Sequence, residues 1–447
     1  MREEQISASA DAHAAGDRDM EINGGLGVLR SMPTTFAVDL MAGSIQKFYA
    51  TTTIQPFGVA PSEIRRYFPT GFTDQNFRAI DLPLLDEARQ GVIDIQGLIF
   101  SRNRGGVETV TGVGVARAVV TGEGSGVYYY PAAVRVVDYW EKDPVIDPIF
   151  GKNGGMMYVF RKPADGPLPD QDLGWPHLPS SPFSTYVSTV RDDAHVLFCC
   201  GLLKIDSGKY TYVLVKIKHT GEPCEGFGDN GVQIISAASD QDALQWNDYA
   251  MQADGGITLV GVTAAQDAGV VMRYTSEGAS DSSYGEAGKI IIRAEPFACQ
   301  LTHVCVSVTG EATVLTLVSA PEPYAAVIRL LNNGEADKTF NEGAPFKVTS
   351  LTANKPCLAV DSKGRVIVAG ESAMTPQVAC AVRITPSGIL DDEFGEGGSK
   401  DYSTLKPFQK VVIISGADIL ATTDDPAIPG FREIAKLFGE ASEDPSS

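Results

Sequence analysis

Short apolar runs separated by turn residues recur along the chain, with the spacing expected of β-strands. In CLAVDSKGRVIVAGES (357–372), an apolar run precedes a turn at Asp361–Gly364, and alternation resumes at Val366 and Val368. Segments 249–263 and 304–319 repeat this pattern, with Gly255 and Gly310 in the turns. No stretch of helical length shows 3.6-residue periodicity. The pattern therefore predicts β-hairpins and an all-β fold.

A longer motif follows these hairpins and recurs along the chain. Four segments, 213–231, 270–290, 327–343 and 381–398, carry a basic residue, Gly five residues later and an aromatic six residues after that Gly. Three of them place Asp midway between the Gly and the aromatic, whereas the first has Cys224 there. The residues of these three copies are Gly278, Asp281, Tyr284, Gly334, Asp337, Phe340, Gly388, Asp391 and Phe394.

Weaker copies extend the repeat over nearly the whole chain. One begins at Gly16, with Asp19 and Ile22 at the motif offsets, and another runs from Lys436 to Ser447. Seven units follow, with approximate bounds 23–77, 78–150, 151–227, 228–284, 285–340, 341–394 and 395–447. Residues 1–15 are polar, and we expect a mobile tail.

Units of this length suit four-stranded sheets. One such sheet cannot bury both faces alone, but a stack of similar sheets does, and a closed ring leaves only short edges. The coils of an open solenoid are usually shorter. The sequence therefore predicts a single domain, residues 16–447, folded as a closed seven-bladed β-propeller.

The repeat also resembles a known one. Its string of Arg, Gly, Asp, aromatic and Gly, preceded by a strand–turn–strand element, is similar to the delta-60 repeat of bacterial proteins, with 278–288 and 388–398 the closest copies. The resemblance implies a β-propeller and no particular reaction.

The repeated residues have structural explanations. A turn glycine supplies a positive φ, and a turn aspartate accepts backbone N–H bonds. We expect the aromatic side chain to fill the space between neighbouring blades, and the basic residue to pair with an Asp of its own or an adjacent blade.

Composition narrows the class of partner and the compartment. The 447 residues carry a formal net charge of −20, which argues against binding to nucleic acid or to an anionic membrane. No signal peptide or membrane-spanning run is recognisable. An odd number of cysteines, 7, mostly within apolar runs, favours free thiols and a cytoplasmic protein, with export without a cleavable signal as the alternative.

No motif in the chain specifies a reaction. The 5 histidines lack metal-ligand spacing, and neither a nucleophile elbow nor a phosphate-binding loop is present. We therefore expect no metal and no catalytic residue. Calcium stays open as a cofactor, because DSKG (361–364) and QADGG (252–256) resemble fragments of calcium loops, although a complete acidic loop is missing.

An insertion at 161–184 interrupts the third unit and carries six prolines with Trp175, His177 and Phe183. These side chains either bind a partner or cover the edge of their blade. On a strand over 127–132, Tyr128 and Tyr130 would share one face, as a platform for a sugar or as packing.

These features favour a non-enzymatic propeller that binds another, unidentified protein through rim loops, notably 161–184. Two alternatives stay open: a glycan-binding propeller, and a hydrolase or lyase whose site lies in the central channel. The glycan alternative predicts equivalent aromatic residues outside the packing positions. The enzyme alternative predicts carboxylates and histidine gathered near the channel.

Overall fold

A computed structural model of the chain describes most of its second half and parts of its first. The described residues are 14–19, 29–30, 40–42, 48–53, 62–67, 92–102, 107–120, 126–138, 144–157, 195–204, 209–235, 245–263, 265–414, 417–424 and 432–440. The insertion 161–184 lies outside them.

The described secondary structure is β, apart from a 3₁₀ turn at Asn341–Gly343 and 3₁₀ geometry at Ala417. The strands are β1 (Leu29–Arg30), β2 (Leu40–Ala42), β3 (Phe48–Thr53), β4 (Ser62–Tyr67), β5 (Val92–Arg102), β6 (Glu108–Val120), β7 (Gly126–Asp138), β8 (Val145–Ile146), β9 (Gly155–Met157), β10 (His195–Lys204), β11 (Lys209–Lys218), β12 (Val232–Ile235), β13 (Gln245–Met251), β14 (Ile257–Val262), β15 (Gly269–Tyr274), β16 (Lys289–Ile292), β17 (Cys299–Val306), β18 (Ala312–Val318), β19 (Tyr324–Leu330), β20 (Phe346–Val348), β21 (Cys357–Val360), β22 (Val366–Glu371), β23 (Ala379–Ile384), β24 (Ser399–Tyr402), β25 (Phe408–Ile413), β26 (Ile419–Asp424) and β27 (Arg432–Leu437). The prediction of an all-β fold is confirmed.

Antiparallel pairing groups the described strands into seven sheets of three to five strands. In chain order they are β2–β4, β5–β9, β10–β12, β13–β16, β17–β20, β21–β24 and β25–β27 with β1. In the last sheet β1 pairs with β27, so Leu29 lies opposite Ile434. The fourth strand of that sheet therefore comes from the other end of the chain.

Neighbouring sheets pack on one another through apolar side chains. Val260 of β14 and Leu301 of β17 share one buried cluster, and Leu315 of β18 and Val368 of β22 share another. A third cluster joins Ile367 of β22 to Ile419 of β26. Ile367 and Val368, on opposite faces of β22, lie in different clusters, so the sheet of β21–β24 buries both of its faces.

Contacts between sheets continue through the first half of the chain. β25 packs against β2, β2 and β3 pack against β5, and β6 packs against β10. Leu214 of β11 and Trp246 of β13 lie in one buried cluster. Each described sheet thus contacts the sheets before and after it, and the last contacts the first.

Among the described residues, no helix has the length and apolar character to cross a membrane.

Candidate functional site

The motif at the end of each unit joins that unit to the next. Arg383, which is 1% exposed, pairs through Nε with Asp391 Oδ2 at 2.7 Å. Its guanidinium lies over the Phe394 ring, 4.9 Å from the centroid, and Nη1 donates to the Gly439 carbonyl of the following sheet. One buried arginine therefore contacts its own turn and the next unit.

The other described units repeat these contacts. Arg329 pairs with Asp337 at 2.6 Å, and its Nη2 donates to the Pro386 carbonyl at 2.6 Å. Lys216 donates to the Ser276 carbonyl at 2.9 Å but has Cys224 where the others have Asp. Equivalent cross-unit donors are Arg135 to the His219 carbonyl and Arg273 to the Asn332 carbonyl.

The motif glycines and aromatics fill the contact between units. Gly388 has a φ of +81°, and a Cβ there would lie 2.4 Å from the backbone nitrogen of Asn341 in the preceding motif. The aromatic side chains are at most 1% exposed: Phe150, Phe227, Tyr284, Phe340 and Phe394. Because these rings are buried, they offer no stacking surface to a ligand.

The first strands of four consecutive sheets, β13, β17, β21 and β25, lie side by side. Three of them are irregular: pairing shifts between Trp246 and Asp248, between Leu301 and His303, and between Phe408 and Lys410. Each shift comes immediately before a polar residue. Because a β-bulge redirects the side chains next to it, the shifts change the direction of Asp248, His303 and Lys410 relative to a regular strand.

The residue three positions before the end of each of these strands has a different chemical character. We call these four residues the first-strand set: Asp248, His303, Cys357 and Lys410. They occupy one repeat position and carry a carboxyl, an imidazole, a thiol and an amine. The contrast with the nearly invariant motif makes this set the candidate functional site.

Asp248 is buried between β13 and β17. Its Oδ2 accepts from the backbone nitrogen of Val304 at 2.9 Å, and its Oδ1 accepts from that of Tyr249 at 2.8 Å. Burial raises the pKa of Asp248, while the two N–H donors and the charge of Lys410 oppose the rise. Asp248 therefore both holds two strands together and places an acidic group beside the site.

His303 and Lys410 are half-buried. Burial, and secondarily the charge of Lys410, lowers the pKa of His303 to about 4, so the imidazole is neutral at neutral pH. The His303 Nδ1 lies 3.2 Å from the Thr302 hydroxyl. The charge of Lys410 acts on the pKa of both Asp248 and His303, so the amine lies near both side chains.

The thiols beside this cluster are suited to packing. Burial raises the pKa of Cys357 to about 12, and burial together with the charge of Asp248 raises the pKa of Cys305 to about 12. A thiol held in its protonated form is a poor nucleophile. The arrangement offers hydrogen-bond donors and acceptors and no activated cysteine.

Where the structure describes the chain, no three His, Cys, Asp or Glu side chains are grouped to hold a metal ion. In the DSKG turn, Asp361 Oδ2 pairs with Arg365 Nε at 2.6 Å, and Oδ1 accepts the Lys363 and Arg365 backbone N–H groups. The carboxylate proposed for calcium is therefore engaged by an arginine.

The side chains of the binding residues predicted from the sequence lie outside the described residues. Trp175, His177 and Phe183 lie outside the described residues. Tyr128 and Tyr130 lie in β7, where their backbones pair with Ala118 and Ala116, but their side chains also fall outside the description.

Sequence reasoning missed the first-strand set. In the sequence, His303 is one of 5 histidines without metal-ligand spacing. The signal that could have found the set is a backward count from each hairpin turn, since Asp248, His303, Cys357 and Lys410 all lie three residues before the strand end.

No protein-family model matches the chain, and no curated protein matches it. Among solved structures, a lectin from Burkholderia pseudomallei is similar at 11% identity and a TM-score of 0.47, covering 92% of this chain and 98% of its own. A polysaccharide lyase described as an ulvan lyase aligns at 9% identity and a TM-score of 0.44, over 97% and 98% of the two chains. The α-L-arabinofuranosidase Arb93A of Fusarium graminearum aligns at 8% identity and a TM-score of 0.41, over 96% and 97%.

Proposed function

We propose that the seven sheets are the blades of a closed β-propeller, with the first strand of each blade facing the central axis. Two observations support this closure. Each described sheet packs against its neighbours, including the last against the first, and β1 completes the sheet of β25–β27. A ring leaves no large apolar sheet face exposed. We propose in addition that the repeated units are delta-60 repeats.

We further propose that the protein binds a small, hydroxyl-rich ligand of the carbohydrate class at the first-strand set. The observation that carries this is the cluster of Asp248, His303 and Lys410 at one repeat position of neighbouring first strands. In a closed ring that position lies beside the central channel, and ligand sites form in such concave places.

The chemistry of the cluster favours hydroxyl groups. An ammonium only donates hydrogen bonds, a neutral imidazole both donates and accepts, and the hydroxyl of Thr302 does both. A ligand hydroxyl can pair with any of these groups. Because the motif aromatics are buried, recognition by stacking in repeated shallow pockets is not favoured in the described part of the chain.

Calorimetric titration with D-galactose, L-rhamnose, D-glucuronate and disaccharides of each tests the proposal. The wild-type protein should bind at least one sugar, and His303→Ala and Lys410→Met should each weaken that binding roughly tenfold, the cost of one good hydrogen bond. Lys338→Met, at an exposed lysine in a repeat motif, is the matched control and should leave binding unchanged. Binding that is absent, or unaffected by both site variants, contradicts the proposal.

Binding of a protein partner through 161–184 remains a separate prediction, since that insertion lies outside the described residues. Capture of partners with the intact protein and with a variant lacking 163–182 tests it. A specific partner lost on deletion would support the scaffold function.

A further inference from the structure

At the end of β27, the motif position that follows the third strand of other sheets is occupied by a distant segment of the chain. Residues 16–19, from the other end of the chain, form this segment. The Gly16 nitrogen donates to the Phe438 carbonyl at 2.6 Å, the Phe438 nitrogen donates to the Asp17 carbonyl at 2.8 Å, and the Asp19 nitrogen donates to the Lys436 carbonyl at 2.8 Å. Three backbone bonds thus hold this segment, the N-terminal clasp, against the end of β27.

The same three bonds occur within a single continuous motif elsewhere. The Gly278 nitrogen donates to the Thr275 carbonyl at 2.9 Å, and the Thr275 nitrogen donates to the Ala279 carbonyl at 2.7 Å. The Asp281 nitrogen donates to the Arg273 carbonyl at 2.9 Å. Gly16 and Asp19 therefore stand where Gly278 and Asp281 stand.

Side chains repeat the correspondence. Lys436 Nζ lies 3.1 Å from Asp19 Oδ2, as Arg273 Nε lies 2.6 Å from Asp281 Oδ2. Gly16 has a φ of +88°, and a Cβ there would lie 3.2 Å from the Phe394 ring of the preceding unit. The Gly395 nitrogen donates to the Ala15 carbonyl at 2.9 Å. Ala15 itself is 2% exposed, so the predicted tail 1–15 enters the fold at its last residue.

The sequence contains a second segment, 441–444, whose motif position corresponds to that of the clasp at the end of β27. In four units the carbonyl that accepts from the basic residue lies two positions before the motif glycine, as Pro386 does before Gly388. The corresponding acceptor in the last unit is Gly439, so the glycine position is 441, and the residue there is Ala441. Asp444 follows three residues later, as Asp19 follows Gly16.

The difference between Gly16 and Ala441 favours the clasp. Every described motif glycine has a φ between +81° and +90°. Glycine adopts such a φ without penalty, whereas the Cβ of alanine disfavours it. At the glycine position the N-terminal copy therefore has the residue that fits the backbone, and the second copy does not. The described clasp also makes side-chain contacts, between Asp17 and Lys400 and from Arg18 Nη1 to the Thr404 hydroxyl at 3.0 Å.

We propose that the end of β27, with Lys436 and the Phe394 turn, is a binding site for a Gly-x-x-Asp segment, for which residues 16–19 and 441–444 compete. Glycine at 16 against alanine at 441 favours the N-terminal clasp in this competition. When the clasp is withdrawn, residues 441–444 take its place, so the residues before β1 can be released or exchanged while the last sheet remains complete.

Hydrogen exchange in the full-length protein tests the competition. Ala441→Gly removes the cost of a positive φ at position 441, so residues 441–444 should displace the clasp more often. Exchange of the Gly16 and Asp19 amides should then rise roughly tenfold. Ala441→Ser changes the residue without relieving the φ restriction and should leave exchange unchanged. Unaltered exchange in Ala441→Gly overturns the proposal.

Deletion of residues 1–19, which retains β1, provides the second measurement. The deletion should lower the thermal midpoint, and Ala441→Gly should restore part of the loss in the deleted protein. An equal loss with and without Ala441→Gly overturns the proposal, and so does failure of both deleted proteins to fold. Neither readout involves a sugar, so the outcome is independent of the carbohydrate proposal.

Discussion

The motif at the end of each unit and the first strand of each sheet repeat in opposite ways. The motif places the same residue types at each position, as in the pairs of Arg329 with Asp337 and Arg383 with Asp391. The first strands place different residues at one position, such as Asp248, His303 and Lys410. Identical residues in every unit serve contacts that every unit must make. Residues that differ between units are not required by the repeat, so we look for function there.

This contrast predicts different costs for substitution. Substitutions in the motif should lower the stability of the protein, because the motif side chains are buried and paired. Substitution of the half-buried members of the first-strand set, His303 and Lys410, should change stability little but weaken ligand binding. The following predictions run from the largest expected effect to the smallest.

Arg383→Met should destabilise the protein by about 3–5 kcal/mol, because it leaves the carboxylate of Asp391 without its partner in a buried site. The free energy of unfolding in urea measures this loss. Arg293→Met is the matched control, since Arg293 and Asp267 form a pair in which both side chains are about half exposed, and its cost should be below about 1 kcal/mol. Similar costs for the two variants would contradict the structural role of the motif.

Gly388→Ala should cost about 1–3 kcal/mol from its positive φ alone, and the approach of the new Cβ to the Asn341 nitrogen should add to this. Gly397→Ala separates the two effects: Gly397 has a φ of +59°, but a Cβ there would meet no atom within 4 Å. Denaturant midpoints of both variants should therefore place Gly388→Ala well below Gly397→Ala. Equal midpoints would show that close packing at Gly388 contributes nothing.

Asp248→Asn should cost about 1–3 kcal/mol, because an amide cannot accept at both oxygens and one backbone N–H, of Val304 or Tyr249, loses its acceptor. Urea unfolding measures the loss. Asp254→Asn, whose side-chain oxygen accepts only from the Gly256 nitrogen in a hairpin turn, should cost less. A larger loss in Asp254→Asn would argue against Asp248 as a link between β13 and β17.

Close to neutral pH, titration of His303 should give the smallest stability effect of the four. Its pKa falls from 6.5 to about 4 in the folded protein, so the unfolded chain takes up a proton first as the pH drops. Stability associated with His303 is present above pH 6.5 and is lost between 6.5 and about 4. His303→Gln should lose less stability over that interval than the wild type, while His219→Gln, at an exposed position, should follow the wild type. Parallel curves for all three proteins would contradict the burial of His303.

The sequence was sufficient for the β class and for the repeat, because both depend on local spacing. The position of Gly388 relative to Arg383 is visible within a few residues. The first-strand set was not predictable in the same way, since its members lie one unit apart and share no chemistry. Pairing is irregular before Asp248, His303 and Lys410, whereas β21 shows no irregularity at Cys357. A count of residues from the start of each strand therefore does not align the four members of the set.

The replacement of one motif by a distant segment was also beyond local reasoning. The sequence contains motif copies near both ends, and spacing alone gives no preference between Gly16 and Ala441. The motif glycine favours Gly16, but only the structure shows that residues 16–19 pair with the end of β27.

The most direct test of ligand binding at the first-strand set is the ¹³C NMR signal of the His303 ring during titration with the sugars named above. The chain has only 5 histidines, so the other rings serve as internal controls. We predict a saturable shift of the His303 signal with the other four unchanged. Sugar binding that leaves the His303 signal in place, or no response to any of the sugars, would contradict the proposed site.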